Sequence, residues 1–104
     1  MESVNEKNTS YLKVDFKDKD GLPAVPLSVL YSVMDKASGT VIRADTSISA
    51  AASITITLTA TDNTIQNVAN RTETRVVTVK ATYGAGDLMN EDFEYELVNL
   101  AQVT

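Results

Sequence analysis

The stretch Ser53-Ile-Thr-Ile-Thr-Leu-Thr-Ala-Thr61 leaves this chain few folding options. Ile54, Ile56, Leu58 and Ala60 alternate with Thr55, Thr57 and Thr59. A period of two sends one set to a buried face and the other to the outside of an extended strand, a conformation that β-branched side chains favour. A helix would scatter both sets around its axis. The threonine ladder either just favours the strand or, being flat and uncharged, forms a contact surface. Thr55, Thr57 and Thr59 are therefore candidate interface residues.

The same period recurs along the chain. From Tyr11, the residues Leu12, Val14 and Phe16 point one way while Tyr11, Lys13, Asp15 and Lys17 point the other. Tyr11 begins a strand facing outward and joins the candidate contacts. Ser28–Asp35 alternates Val29, Tyr31 and Val33 against Leu30, Ser32 and Met34, with apolar character on both faces, as a central strand requires. A turn at 35–39 and the extended residues 40–43 complete a hairpin. Strand pattern returns at 74–83, with Val77, Val79, Ala81 and Tyr83 inward, and again at 92–99, with Phe93, Tyr95 and Leu97 inward. Glycines 21, 39, 84 and 86 and prolines 23 and 26 all fall between these runs, where turns belong. Within the long break at 62–72, Ile65, Val68 and Ala69 recur at helical spacing, which predicts one short helical turn.

About seven short strands with turn signals between them predict an all-β fold, an immunoglobulin-like antiparallel β-sandwich, with a small barrel as the competing architecture. A chain of 104 residues suits one domain, expected over 11–104. Residues 1–10 have Val4 as their only sizeable apolar residue after Met1 and are expected to form a flexible arm, with Val4 and Asn5 as candidate contacts.

Composition removes several functions. With 14 acidic against 9 basic residues the net charge is −5, and no cluster of Lys and Arg offsets the repulsion of a phosphate backbone, so nucleic acid is not an expected partner. No run approaches the ~20 apolar residues needed to span a bilayer, so no membrane partner is expected. The residues from Met1 to Lys7 lack the apolar stretch of a secretory signal, which predicts synthesis in the cytoplasm. Asn8-Thr9-Ser10 and Asn70-Arg71-Thr72 match the glycosylation pattern and read as chance matches in such a chain.

Chemistry is sparse. Cysteine and histidine are absent, so neither a thiolate nor an imidazole serves as nucleophile, base or metal ligand. Asp15, Asp18, Asp20 and Gly21 suggest a calcium loop, but aligning Gly21 with the required glycine puts Phe16 and Leu27 at ligand positions. A solvated turn is expected instead. Glu91, Asp92, Glu94 and Glu96 form a second acidic cluster, whose Glu94 and Glu96 share an outer face and need a basic neighbour such as Lys80 or Arg75, or solvation. No tryptophan platform accompanies them for sugar chemistry. These readings predict no catalytic residues, no metal site and no cofactor.

One resemblance adds to this. The segments Val14–Gly21, Tyr31–Asp35, Ser38–Thr40, Ile54–Asn63, Arg75–Gly84 and Phe93–Leu100 together resemble a family of small immunoglobulin-like structural proteins encoded by tailed bacteriophages and prophages. The resemblance implies a non-enzymatic virion component of the capsid surface, neck, tail or fibre attachment. It would be made in the host bacterial cytoplasm and carried on the virion. Its implied partners are other virion proteins and copies of itself. The alternative is a binding module outside the virion, such as an assembly helper or a protein that engages a host factor.

Overall fold

The computed structural model describes residues 2–18, 20–83 and 88–100. Seven strands follow in order: β1 (Glu2–Asn5), β2 (Ser10–Asp15), β3 (Ser28–Asp35), β4 (Val41–Ile48), β5 (Ser53–Leu58), β6 (Thr72–Thr82) and β7 (Leu88–Val98). They form a five-stranded sheet in the order β1-β7-β6-β3-β4 and a two-stranded sheet of β2 and β5. All ladders are antiparallel except β1 with β7. The all-β expectation holds. The turn expected at 84–87 lies outside the described residues.

The alternating side chains of both sheets meet in one core. Val14, Ile54, Ile56 and Leu58 from the smaller layer pack with Val29, Tyr31, Val33, Val77, Val79, Ala81 and Tyr95 from the larger. Phe16, just past β2, is 1 % exposed and extends this cluster. Ile56, Val33, Val77 and Val79 are wholly buried, so the centre of the core lies between β5, β3 and β6. Fully burying side chains of this size contributes ~1.5–3 kcal/mol each. Gly39 closes the β3–β4 hairpin at φ +72, a left-handed value that costs glycine nothing and other residues strain.

Three expectations are corrected. The arm expected over residues 1–10 contains a strand: Glu2–Asn5 pair in parallel with Tyr95–Val98. Val4 packs against the core, and β7 offers an open edge with peptide groups to satisfy. The helical turn expected at 62–72 is a succession of turns and bends. Its Gln66 and Asn67 N–H groups donate to the Glu73 carboxylate at 2.8 and 2.9 Å, and the Thr64 carbonyl accepts from Arg75. A helix would need those groups for itself. Ala60, expected on the buried face, is exposed because β5 ends at Leu58.

Candidate functional site

The smaller layer presents its outer face to solvent. Its register sets Tyr11 opposite Thr57, Lys13 opposite Thr55 and Asp15 opposite Ser53. All six side chains are exposed, Tyr11 to 65 %. Three of the candidate contacts, Tyr11, Thr55 and Thr57, thus share one surface, since period-two alternation turns the half-buried Leu12 and the buried Val14, Ile54 and Ile56 to the opposite, inward face.

The other three are placed elsewhere. Val4 is half-buried and opposite Leu97 in the β1–β7 ladder, where it contributes to packing. Asn5 is exposed at the end of β1, its carbonyl accepting from the Asn8 N–H at 3.3 Å. Thr59 has left the threonine ladder. Its N–H donates to the Asp62 carboxylate at 2.9 Å and its hydroxyl accepts from the Asp62 N–H at 3.2 Å, so it belongs to the turn after β5.

Beneath one end of the layers lies a polar network. Arg75 is fully buried and donates to Asp35 at 2.8 Å, to Glu73 at 2.9 Å and to the Thr64 carbonyl at 2.8 Å. Beside it, the Tyr95 hydroxyl donates to Asn63 Oδ1 at 2.7 Å, and Asn63 Nδ2 donates to the Asn8 carbonyl at 2.7 Å and to Ser10 Oγ at 3.1 Å. Asn63 therefore ties the approach to β2, the turn after β5 and strand β7 together. Asp62 takes Arg43 Nε at 3.0 Å, linking the same turn to β4.

The titrations follow from these contacts. Burial alone pushes the Glu73 carboxyl up, but the Gln66 and Asn67 amides, the Asn70 side chain and Arg75 outweigh it and hold the carboxyl below its ordinary value. Burial raises the Tyr95 phenol to about 12; the Asp62 charge adds to this and Arg75 opposes it. Such a phenol stays protonated and serves as a hydrogen-bond donor.

Sequence reading missed this network, although strand parity carried the signal. Glu73 and Arg75 fall in register with Val77 and Val79, and Asp35 falls in register with Val33, so all three charges point inward.

Among the described residues the acidic clusters are engaged in turn and pairing contacts. Asp18 Oδ1 accepts from the N–H groups of Asp20 and Leu22 at 2.9 and 3.0 Å, closing the turn around Gly21. Glu94 pairs with Lys36 at 2.8 Å, whereas Lys80, expected as its partner, meets Asp45 at 3.2 Å and Arg75 is buried. A shallow basin of about 510 Å³ is lined by Asp35, Lys36, Asn70, Thr72, Glu73 and Thr74, but its two buried carboxylates are both engaged by Arg75. A second cavity, between Leu12 of β2 and Val4, Phe93 and Tyr95, measures about 30 Å³, the space of one water. No helix among the described residues is long and apolar enough to cross a membrane. The outer face of β2 and β5, which gathers Tyr11, Thr55 and Thr57, is the candidate contact surface. Searches against protein-family models, curated proteins and solved structures match nothing to this chain.

Proposed function

We propose that this chain is a non-enzymatic structural protein of a bacteriophage virion that works through protein–protein contacts made by its two-stranded layer. The observation that carries this reading is the unequal pair of sheets. Five strands face two, and the smaller layer offers an exposed Tyr11–Thr55–Thr57 surface flanked by open strand edges. Open edges invite pairing with other chains. The segments that resemble phage structural proteins supply the viral part of the proposal.

An immunoglobulin-like sandwich is the finer fold assignment within it. Its support is the pairing scheme: β3, β6 and β7 lie together in one layer and β2 pairs with β5 in the other. This is how the C, F, G and the B, E strands of such a sandwich are arranged.

The test is quantitative mass spectrometry of purified particles, scaled to the major capsid protein. A copy number near that of the capsid protein means decoration, and a few copies mean neck, tail or fibre base. Absence from particles overturns the virion reading in favour of a helper or host-directed binder.

A further inference from the structure

Strand β1 belongs to one layer, and β2, which follows it, belongs to the other. β1 pairs in parallel with β7 of the five-stranded sheet, whereas β2 pairs with β5 of the two-stranded one. Only residues 6–9 lie between them, so the chain changes sheets within four residues. The turn that achieves this is strained. Lys7 sits at a φ of 60°, and among the described residues it alone combines a positive φ with a side chain. The left-handed region disfavours a residue with a Cβ by a factor of about 5 to 30.

Both sides of Lys7 are fastened, but to different bodies. Before it, the Glu6 N–H continues the β7 ladder to the Val98 carbonyl at 2.8 Å, and the Glu6 carboxylate accepts from the Leu100 N–H at 3.1 Å. After it, the Asn8 carbonyl and Ser10 Oγ accept from Asn63 Nδ2 at 2.7 and 3.1 Å. Lys7 is therefore the pivot between a strand held by β7 and a body held through Asn63. Opening the pivot gives up two bonds, Lys7 N–H to the Asn63 carbonyl at 2.6 Å and Asn8 N–H to the Asn5 carbonyl at 3.3 Å. Lys7, Asn8 and Thr9 are exposed, so water reaches the donors that are released.

The slot that holds β1 is specific. Val4 lies opposite Leu97 and, with Leu12, Phe93 and Tyr95, narrows the flank between the sheets to about 30 Å³. With β1 lifted away, the β7 edge and these apolar side chains would stand open to water. The segment that fits them in register is β1, and every copy of the chain carries one. The slot has no means of telling its own β1 from that of a second copy.

From these observations we infer that two copies of the chain exchange their β1 strands. Each lays Glu2–Asn5 along the other's β7 while Lys7 relaxes to an extended conformation. The four register pairs and the packing of Val4 are kept, and two strained residues are relieved. Short hinges under strain favour such an exchange. Opposing it is the local concentration of a strand on a short tether, on the order of 1 mM. The closed monomer thus dominates in dilute solution, and exchange sets in where copies are concentrated or held side by side. This inference concerns copies of the chain alone and stands apart from the virion reading.

The chain has no cysteine, so two introduced ones report the exchange cleanly. Ser3 and Glu96 are register partners on the outward side of the ladder, and the ~4.8 Å between neighbouring strands is within disulfide reach. Ser3→Cys and Glu96→Cys in one chain should close an internal disulfide in dilute solution. The two single variants, mixed at about 1 mM and oxidised after incubation, should yield a dimer joining residue 3 of one copy to residue 96 of the other. Lys7→Gly removes the strain and should lower that yield about fivefold, while Lys7→Val, ill-suited to a positive φ, should raise it. Internal closure in each hinge background shows that the fold is kept; should Lys7→Val fail this check, the Lys7→Gly comparison decides. No mixed dimer after incubation, or a yield that Lys7→Gly leaves unchanged, overturns the inference. Failure of the internal disulfide in the parent background does so too, because the β1–β7 register would then be wrong.

Discussion

Arg75 donates to Asp35 at 2.8 Å with both side chains sealed from solvent, and the bond joins β6 to β3 at the polar end of the core. Two buried carboxylates and one guanidinium make a network whose members depend on one another. Removing Arg75 leaves Asp35 and Glu73 charged in a low-dielectric interior, so Arg75→Ala should cost about 3–5 kcal/mol. Replacing the three together by Arg75→Met, Asp35→Asn and Glu73→Gln should recover much of that loss. Urea unfolding followed by circular dichroism measures both. A single variant as stable as the parent would show the network contributes little.

Tyr95 and Asn63 form the second hub, hydroxyl to amide oxygen at 2.7 Å. Tyr95→Phe leaves the Asn63 oxygen without this donor and should cost about 1–3 kcal/mol. Asn63→Leu should cost more, since it also strips the Asn8 carbonyl and Ser10 of their donor. The order of the two variants in denaturation midpoint is the test; the reverse order would assign the hub to Tyr95.

Stability should fall at both ends of the pH scale for separate reasons. The folded-state pKa of Glu73 lies below its ordinary 4.5, so its contribution is present above that value and is lost as pH drops through the folded value. Tyr95 is raised from 10 to about 12, so its contribution is full below pH 10 and disappears as pH rises toward 12. Thermal midpoints across pH should show both limbs. Tyr95→Phe should flatten the alkaline limb and Glu73→Gln the acid one; limbs unchanged in these variants would assign them to other groups.

Neighbours on β5 should separate folding from contact. Ile56 is fully buried, so Ile56→Ala should cost about 2–5 kcal/mol. Thr57→Lys and Tyr11→Ala lie on the exposed face and should change stability by no more than about 0.5 kcal/mol while lowering incorporation into particles. Full incorporation of both surface variants would move the contact away from this face.

Period-two alternation made the core legible: Leu12, Val14, Ile54, Ile56, Val77, Val79, Tyr95 and Leu97 all lie inward or half-inward where their parity places them. Parity also held the answer for Asp35, Glu73 and Arg75, but a rule that looks for apolar side chains passes over charges satisfied by each other. Strand β1 was hidden for another reason. Its residues have little apolar character, and the strand exists because β7 presents an edge, a relationship across the whole chain. The false helical signal at Ile65, Val68 and Ala69 has a similar origin, since Glu73 and Arg75 reach back to take the backbone groups a helix would use. The face of Tyr11, Thr55 and Thr57 was visible because a strand's outer row can be read without knowing its partner.

Hydrogen exchange compared between the free chain and the chain in purified particles tests the contact surface most directly. Slower exchange on incorporation at Ser53, Thr55 and Thr57, with little change along β6, is the predicted result. Unchanged exchange across β2 and β5 together with protection on another surface would contradict it.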